Sequence, residues 1–179
     1  MMKKNYKILI SVLLTAFTLL SSCDFYESSV PLSDSSKSTI DTSLTGRWVN
    51  AEKENSSGAE YFDITAFNEH EYLVKTPMLK DSRYESVYTF RMFNTLLNNK
   101  EYFNLVSVDL NEERNYTFYK YDRLKNGDLQ VYYLSDDYLR DTVFTGSKEL
   151  CKFIKANTDS VEAGFKVFGV LHKSKYSTK

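Results

Sequence analysis

The sequence has few of the residues on which small specialised sites depend. Its 179 residues include only two Cys, two His, one Trp, two Pro and six Gly. Two cysteines cannot build a disulfide framework, and so few Cys and His residues argue against a zinc-type site. The scarcity of Pro and Gly excludes collagen-like and Pro-rich low-complexity chains. A formal net charge of −1 excludes a strongly basic nucleic-acid-binding protein.

Aromatic residues are abundant. The chain contains 14 Tyr and 12 Phe, within a composition that is otherwise ordinary for a globular protein. Tyr and Phe favour the pleated, half-buried surface of β-strands. The length suits one domain or a small domain with appendages.

The first residues have the organisation of a secretory signal. A basic start with Lys3, Lys4 and Lys7 precedes an uncharged, largely apolar run over Ile8–Leu20. Crossing a hydrocarbon core takes roughly 20 apolar residues, so this shorter run is typical of a signal peptide rather than a membrane-spanning helix.

The end of this run carries a lipidation motif. Leu20-Ser21-Ser22-Cys23 resembles the lipobox of bacterial lipoproteins, an aliphatic residue and two small residues before a cysteine. The resemblance implies a diacylglycerol on the Cys23 thiol, cleavage before Cys23 and acylation of the new amino terminus. We therefore expect a lipid-anchored protein of the bacterial cell envelope, facing the periplasm or the cell surface, with the outer membrane favoured. An ordinary secretory signal is the alternative.

The pattern along the chain predicts four regions. Residues 1–22 form the signal peptide, and residues 23–44 form a Ser/Thr-rich flexible tether after the lipidated Cys23. A coil of that length reaches roughly 25 Å. Residues 45–172 form one domain with a single core, which we expect to fold without the tether, and residues 173–179 form a frayed end.

From Thr45 onward the pattern alternates with a period of two residues, which predicts short β-strands. The predicted strands are Arg47–Asn50, Glu60–Phe67, Glu71–Thr76, Tyr84–Phe93, Tyr102–Asp109, Tyr116–Asp122, Leu129–Leu134 and Phe165–Leu171. Pro77 and Asn98-Asn99 are read as turn signals, and Asn126-Gly127 predicts a two-residue type I′ hairpin turn. Helical spacing over Ser147–Asn157 predicts one helix before the last strand.

Eight short strands joined by short turns favour an all-β fold. The predicted architecture is an antiparallel up-and-down eight-stranded barrel with one helix before the last strand. A β-sandwich is the alternative. Closure into a barrel has the physical advantage that it removes exposed strand edges.

A motif at the start of the domain supports the barrel. Gly46-Arg47-Trp48 resembles the G-x-W signature of lipocalin and related barrels. The resemblance implies that Trp48 closes one end of the barrel and that Gly46 permits the bend into the first strand. In that family a basic residue from the last strand packs over the Trp; here the last predicted strand offers Lys166, with Lys173 just beyond it.

The uncharged face of each predicted strand is taken as the barrel interior, because the opposite face carries residues such as Asp63, Lys75 and Arg91. Candidate ligand-binding residues in this lumen are Tyr72, Tyr88, Phe90, Tyr119, Tyr121 and Tyr133. Tyrosine hydroxyls in a lumen can orient a small amphipathic or apolar molecule. A filled core, with the hydroxyls bonded to one another or to backbone, is the alternative.

The sequence offers no recognisable catalytic or metal-binding motif. Cys151, His70 and His172 lack the spacing of a nucleophile–base pair or a ligand set. We expect no enzyme activity, cofactor, metal or nucleic-acid partner. Two functions remain: a lipocalin-like module that binds a small apolar or amphipathic ligand, or a non-enzymatic interaction or structural subunit that binds an envelope protein or glycan through its surface.

Overall fold

A computed structural model describes residues 25–52, 61–80, 83–109, 114–139 and 142–174. The predicted signal peptide and the predicted lipidation at Cys23 lie outside these residues. The strands are β1 (Glu27–Ser28), β2 (Gly46–Asn50), β3 (Tyr61–Ala66), β4 (Tyr72–Lys80), β5 (Arg83–Leu97), β6 (Lys100–Ser107), β7 (Tyr116–Arg123), β8 (Leu129–Leu134) and β9 (Phe165–Lys173). The helices are α1 (Ser147–Ala156) and α2 (Thr158–Ala163), with short 3-10 turns at Ser35–Lys37, Thr42–Leu44 and Asp136–Tyr138.

Strands β2 to β9 form a closed antiparallel barrel. Each strand pairs with the next along the chain, and β9 also pairs with β2, where Trp48 lies opposite Lys173. This circuit confirms the predicted eight-stranded barrel and excludes the sandwich. The two-residue strand β1 pairs with the start of β7, beyond the end of β8.

Two turns differ from the sequence prediction. Pro77 lies inside β4 opposite Val87, at a level where β3 no longer pairs with β4, and proline is tolerated on such a one-sided stretch. The predicted hairpin between β7 and β8 is confirmed, but the prediction that its turn is of type I′ is wrong. Only Gly127 has positive φ there, and its N–H donates to the Leu124 carbonyl at 3.0 Å, as in a longer loop with one left-handed residue.

Residues 25–44, named here the N-terminal strap, pack against the barrel. Tyr26, Leu32 and Leu44 are almost completely buried, and the Leu32 N–H donates to Oδ1 of the fully buried Asn104 at 2.7 Å. The prediction of a flexible tether is therefore wrong for these residues. The Ser/Thr-rich average composition conceals widely spaced apolar side chains that are buried on the folded barrel, Tyr26 and Leu32 in one cluster and Leu44 in another.

A second core lies outside the barrel, where the sequence predicted only one. Outward-facing residues of β5, β6 and β7 pack against the strap and both helices; the buried members are Tyr26, Leu32, Leu97, Tyr102, Phe118, Leu134, Leu139, Phe144, Leu150, Ile154 and Val161. The predicted helix ends at Ala156, and α2 follows after Asn157. The helices thus cover one side of the barrel rather than extending its sheet.

Glu162 fastens α2 to this side of the barrel. Its carboxylate accepts hydrogen bonds from Lys120 Nζ at 2.5 Å and from the Tyr102 hydroxyl at 2.8 Å, and it pairs with Lys100. Burial alone would raise the pKa of Glu162, but these donors together hold the pKa below its usual value. The same burial and the neighbouring carboxylate raise the pKa of Tyr102.

Candidate functional site: the barrel lumen

The inward faces of the barrel strands enclose a cavity of about 510 Å³. Alternate residues of each strand point inward, because successive side chains in a strand face opposite sides of the sheet. The strands contribute six aromatic residues to the wall, Phe62, Tyr88, Phe90, Phe103, Tyr119 and Phe168. The aliphatic part includes Ile64, Val74, Met92, Leu105 and Val131. This volume is within the range of small-molecule sites.

The polar groups of the lumen are few and uncharged. Hydroxyl groups of Thr76, Thr117, Tyr88 and Tyr119 are the side-chain polar groups on its wall, and no charged side chain is among the described lining residues. Burying an ionised group without a partner is costly. The lumen therefore suits an apolar group, with Thr and Tyr hydroxyls as the polar groups on its wall.

Three of the six predicted ligand-binding residues line this cavity. Phe90 and Tyr119 lie on its wall, and Tyr88 lies at one end, where its side chain is 38% exposed. Tyr88 and Phe90 also contact each other, with ring centroids 6.2 Å apart. We name this end, marked by Pro77 and Tyr88, the mouth of the lumen.

Tyr72 and Tyr121 point inward but lie at the opposite end, outside the cavity wall. The Tyr72 hydroxyl accepts the Asp41 N–H at 2.6 Å, and burial raises the pKa of Tyr72. Tyr121 stacks on Phe103 at 4.7 Å and donates to the Glu101 carboxylate; burial, that hydrogen bond and the charge of Glu101 raise the pKa of Tyr121. Both hydroxyls are thus engaged by the protein itself.

Tyr133 lies at the mouth, outside the lining residues. Its ring is 4.6 Å from that of Phe25, and Phe25 is also 6.1 Å from Tyr119. Phe25 itself lines the cavity. The first described residue of the chain therefore covers Tyr133 and contributes to the wall in its place.

The end opposite the mouth is closed by Trp48 and the last turn of the strap. Trp48 is 1% exposed, and its indole N–H donates to the Leu44 carbonyl at 2.7 Å. Lys173 Nζ lies 5.7 Å from the centre of the Trp48 ring and donates to the Ser43 carbonyl at 3.1 Å. Because β9 continues through Lys173, the predicted frayed end begins too early. Lys173, rather than Lys166, occupies the position over the indole.

Gly46 is required where the strap enters β2. Its φ is +120°, a conformation that L side chains rarely adopt, and an added Cβ would lie 3.0 Å from Lys173 Cε.

Three barrel strands hold the last part of the strap. Arg123 Nη2 donates to the Asp41 carboxylate and to Ser43 Oγ, at 2.5 and 2.7 Å, in addition to the contacts of Tyr72 and Lys173. The strap is thus held at this end by side chains from β4, β7 and β9.

Sequence reasoning missed several lining residues. Phe25 and Leu44 lie in the segment assigned to the tether, and Phe168 and Leu171 lie in the last strand, whose alternation is weak. The register of β9 against β8 shifts between Val131 and Tyr132, which hides the period of two. The apolar character of the two strap residues was the available signal.

A second concave region lies on the outside of the barrel. It is a groove of about 1250 Å³ between the strap, α1 and the outer faces of β5 and β6. Lys148, Lys152 and Lys155 line it, together with Asp34 and the Glu71–Arg91 pair. This mixed, charged lining distinguishes the groove from the apolar lumen.

Comparisons with known proteins give no relative: no family model matches the chain, and no match is found among curated proteins or solved structures. Within the described residues, no helix is long and apolar enough to cross a membrane. The same residues contain no group of three His, Cys, Asp or Glu side chains placed to hold a metal ion. Cys151 is a free, half-buried thiol.

Proposed function

We propose that this protein is a lipid-anchored envelope module that binds a small apolar or amphipathic molecule in the barrel lumen. The observation that carries the proposal is the lumen itself, an uncharged and largely apolar cavity of about 510 Å³ inside a closed barrel. A cavity this large within an otherwise packed interior exceeds the voids of a filled core. Apolar surface left uncovered there is stabilised by an apolar occupant.

The closed end of the barrel supports the lipocalin-like part of the proposal. The resemblance of Gly46-Arg47-Trp48 implied a bend at the Gly, a Trp at one end and a basic residue over that Trp. Gly46 has positive φ, Trp48 is buried at the end of the lumen, and Lys173 lies over its ring. The similarity to the lipobox at Leu20–Cys23 supports the anchor.

Probe binding tests the lumen directly. A neutral apolar fluorophore such as N-phenyl-1-naphthylamine should bind the chain beginning at Asp24 saturably, at one molecule per protein. Val74→Phe places a large ring on the lumen wall, where Val74 is 3% exposed. It should weaken binding by about tenfold, equivalent to about 1.4 kcal/mol, because it occupies the volume that the probe needs.

The matched control is Lys75→Phe on the same strand. Lys75 is exposed on the outer face, so the same ring there leaves the lumen unchanged and should not alter probe affinity. Circular dichroism confirms that both variants fold. Absence of saturable binding to the folded unsubstituted chain, or equal losses in both variants, would remove the ligand-binding proposal.

A further inference from the structure

The described chain begins at the mouth of the lumen. Phe25 lines the cavity, its backbone bridges to Ser135, and the Tyr26 N–H donates to the Leu134 carbonyl at 2.9 Å. Tyr26 is 4% exposed. These contacts fix the amino-terminal end of the strap to the barrel at the end where Tyr88 is exposed.

Covalent geometry limits the distance between the predicted lipidation residue and Phe25. Cys23 is separated from Phe25 only by Asp24. Because an extended chain spans at most about 3.6 Å per residue, the Cα atoms of Cys23 and Phe25 are at most about 7 Å apart. The strap, being packed on the barrel, provides no spacer between anchor and body.

We propose that the lipid anchor holds the mouth of the lumen against the membrane, and that the lumen takes the acyl chain of a single-chain membrane lipid, tail first. This inference rests on the proposed function, both its anchor and its binding lumen. The opposite end is closed by Leu44, Trp48 and Lys173. An acyl chain from the bilayer would therefore enter the lumen at the end where Tyr88 lies.

The lining determines the orientation of this occupant. No described lining residue is charged, so a charged or strongly polar headgroup stays outside while the hydrocarbon tail occupies the cavity. If the headgroup stays among the lipid headgroups of the membrane while the tail enters the lumen, the mouth of the lumen must face the membrane surface. The position of Phe25 next to the predicted anchor supplies that arrangement.

Site-specific fluorescence tests the orientation. Val143, 83% exposed, shares a surface depression with Phe25 and Tyr26, whereas Asn126 is exposed in the turn at the closed end. V143C and N126C are made in a Cys151→Ser background, so that the dye reacts with one cysteine only. The lipidated proteins are labelled with an environment-sensitive dye and placed in vesicles whose lipids carry a quencher at the headgroup. We expect several-fold stronger quenching at position 143. Equal quenching, or stronger quenching at position 126, overturns the orientation.

Transfer of a brominated fatty acid tests the occupant. Trp48 packs in the same core as the lumen residues Leu44, Leu129 and Leu171, so 9,10-dibromostearic acid should quench its emission from inside the lumen. With the acid supplied in vesicles, quenching should develop several-fold faster in the lipidated protein than in a variant with 20 Gly/Ser residues inserted between Asp24 and Phe25. Both proteins should respond equally to the acid supplied without vesicles.

The possible failures are distinguishable. Quenching in solution with no effect of the insertion overturns this inference and leaves the proposed function standing. No quenching by dibromostearic acid or by any other brominated apolar molecule in solution means that the proposed function has failed too. Quenching that appears only after the acyl chains of Cys23 are removed shows that the anchor occupies its own lumen, which also overturns the inference.

Discussion

At the scale of single residues, Trp48 joins the lumen to the strap. Its ring is 1% exposed, its N–H is bonded to the Leu44 carbonyl at 2.7 Å, and the ammonium of Lys173 lies over its face. Because Lys173 is exposed, such a contact between an ammonium group and an indole ring contributes about 0.5–1 kcal/mol. The indole therefore acts as packing volume, hydrogen-bond donor and cation partner at once.

Trp48→Ala should lower the free energy of unfolding by about 3–5 kcal/mol, because it opens a large cavity at the closed end and removes the bond to Leu44. Urea denaturation followed by circular dichroism measures the loss. Phe67→Ala is the control: Phe67 is 56% exposed, and its removal should change stability by no more than about 0.5 kcal/mol. A loss below about 1 kcal/mol for Trp48→Ala contradicts a structural role for this ring.

At the scale of elements, the strap is part of the fold. It contributes Tyr26 and Leu32 to the outer core and Leu44 to the inner core. The Asp41 N–H donates to the Tyr72 hydroxyl of β4, and the Asp41 carboxylate accepts from Arg123 of β7. The pKa of Asp41 is held below its usual value mainly by a hydrogen bond from Ser43, with Arg123 adding to the effect. The strap thus runs along the barrel from mouth to closed end and connects both cores.

A chain that begins at Thr45 should be much less stable than one that begins at Asp24. Full burial of each large strap side chain is worth about 1.5–3 kcal/mol, and the sum is comparable with the whole stability of a small domain. Thermal unfolding by circular dichroism should show a lost or strongly lowered transition for the shorter chain. An unchanged melting temperature would show that the strap merely rests on an independent barrel, as the tether prediction assumed.

At the scale of the whole molecule, the proposed attachment to the membrane depends on the thiol of Cys23, which lies outside the described residues. Cys23→Ala should block lipidation and cleavage, so the larger precursor accumulates and the processed, membrane-bound form is lost. Immunoblotting of soluble and membrane fractions distinguishes these forms. Cys151→Ala, which removes the half-buried thiol of the outer core, should leave processing intact. Normal maturation and retention of the Cys23→Ala protein would contradict the lipoprotein hypothesis.

The barrel strands were predictable because their signal is local. Alternation of apolar and charged residues specifies both the strand and the face that points inward, so Phe90 and Tyr119 were assigned correctly to the interior. This alternation can be recognised from the residues of one strand alone, without knowing which strand pairs with it. The same holds for the apolar stripe of α1, where Leu150 and Ile154 are buried.

Depth along the barrel was not predictable in the same way. Tyr72, Tyr119 and Tyr133 share the inward face, yet one contacts Asp41 at the closed end, one lines the lumen and one lies under Phe25. Alternation gives the face of the sheet but not the distance from its end. That distance follows from the registers of all eight strands together.

The sequence by itself determined the all-β class, the order of the strands, the inward faces and the residues that resemble a lipidation site, because each depends on side chains close together in the chain. Only the tertiary structure decided that the strap packs on the barrel, that a second core forms outside it, and that Phe25 lies at the lumen mouth. These features depend on contacts between distant segments, such as Leu32 with Asn104 and Phe25 with Tyr133. A few isolated apolar side chains in a polar segment gain burial only when a folded surface already exists to receive them.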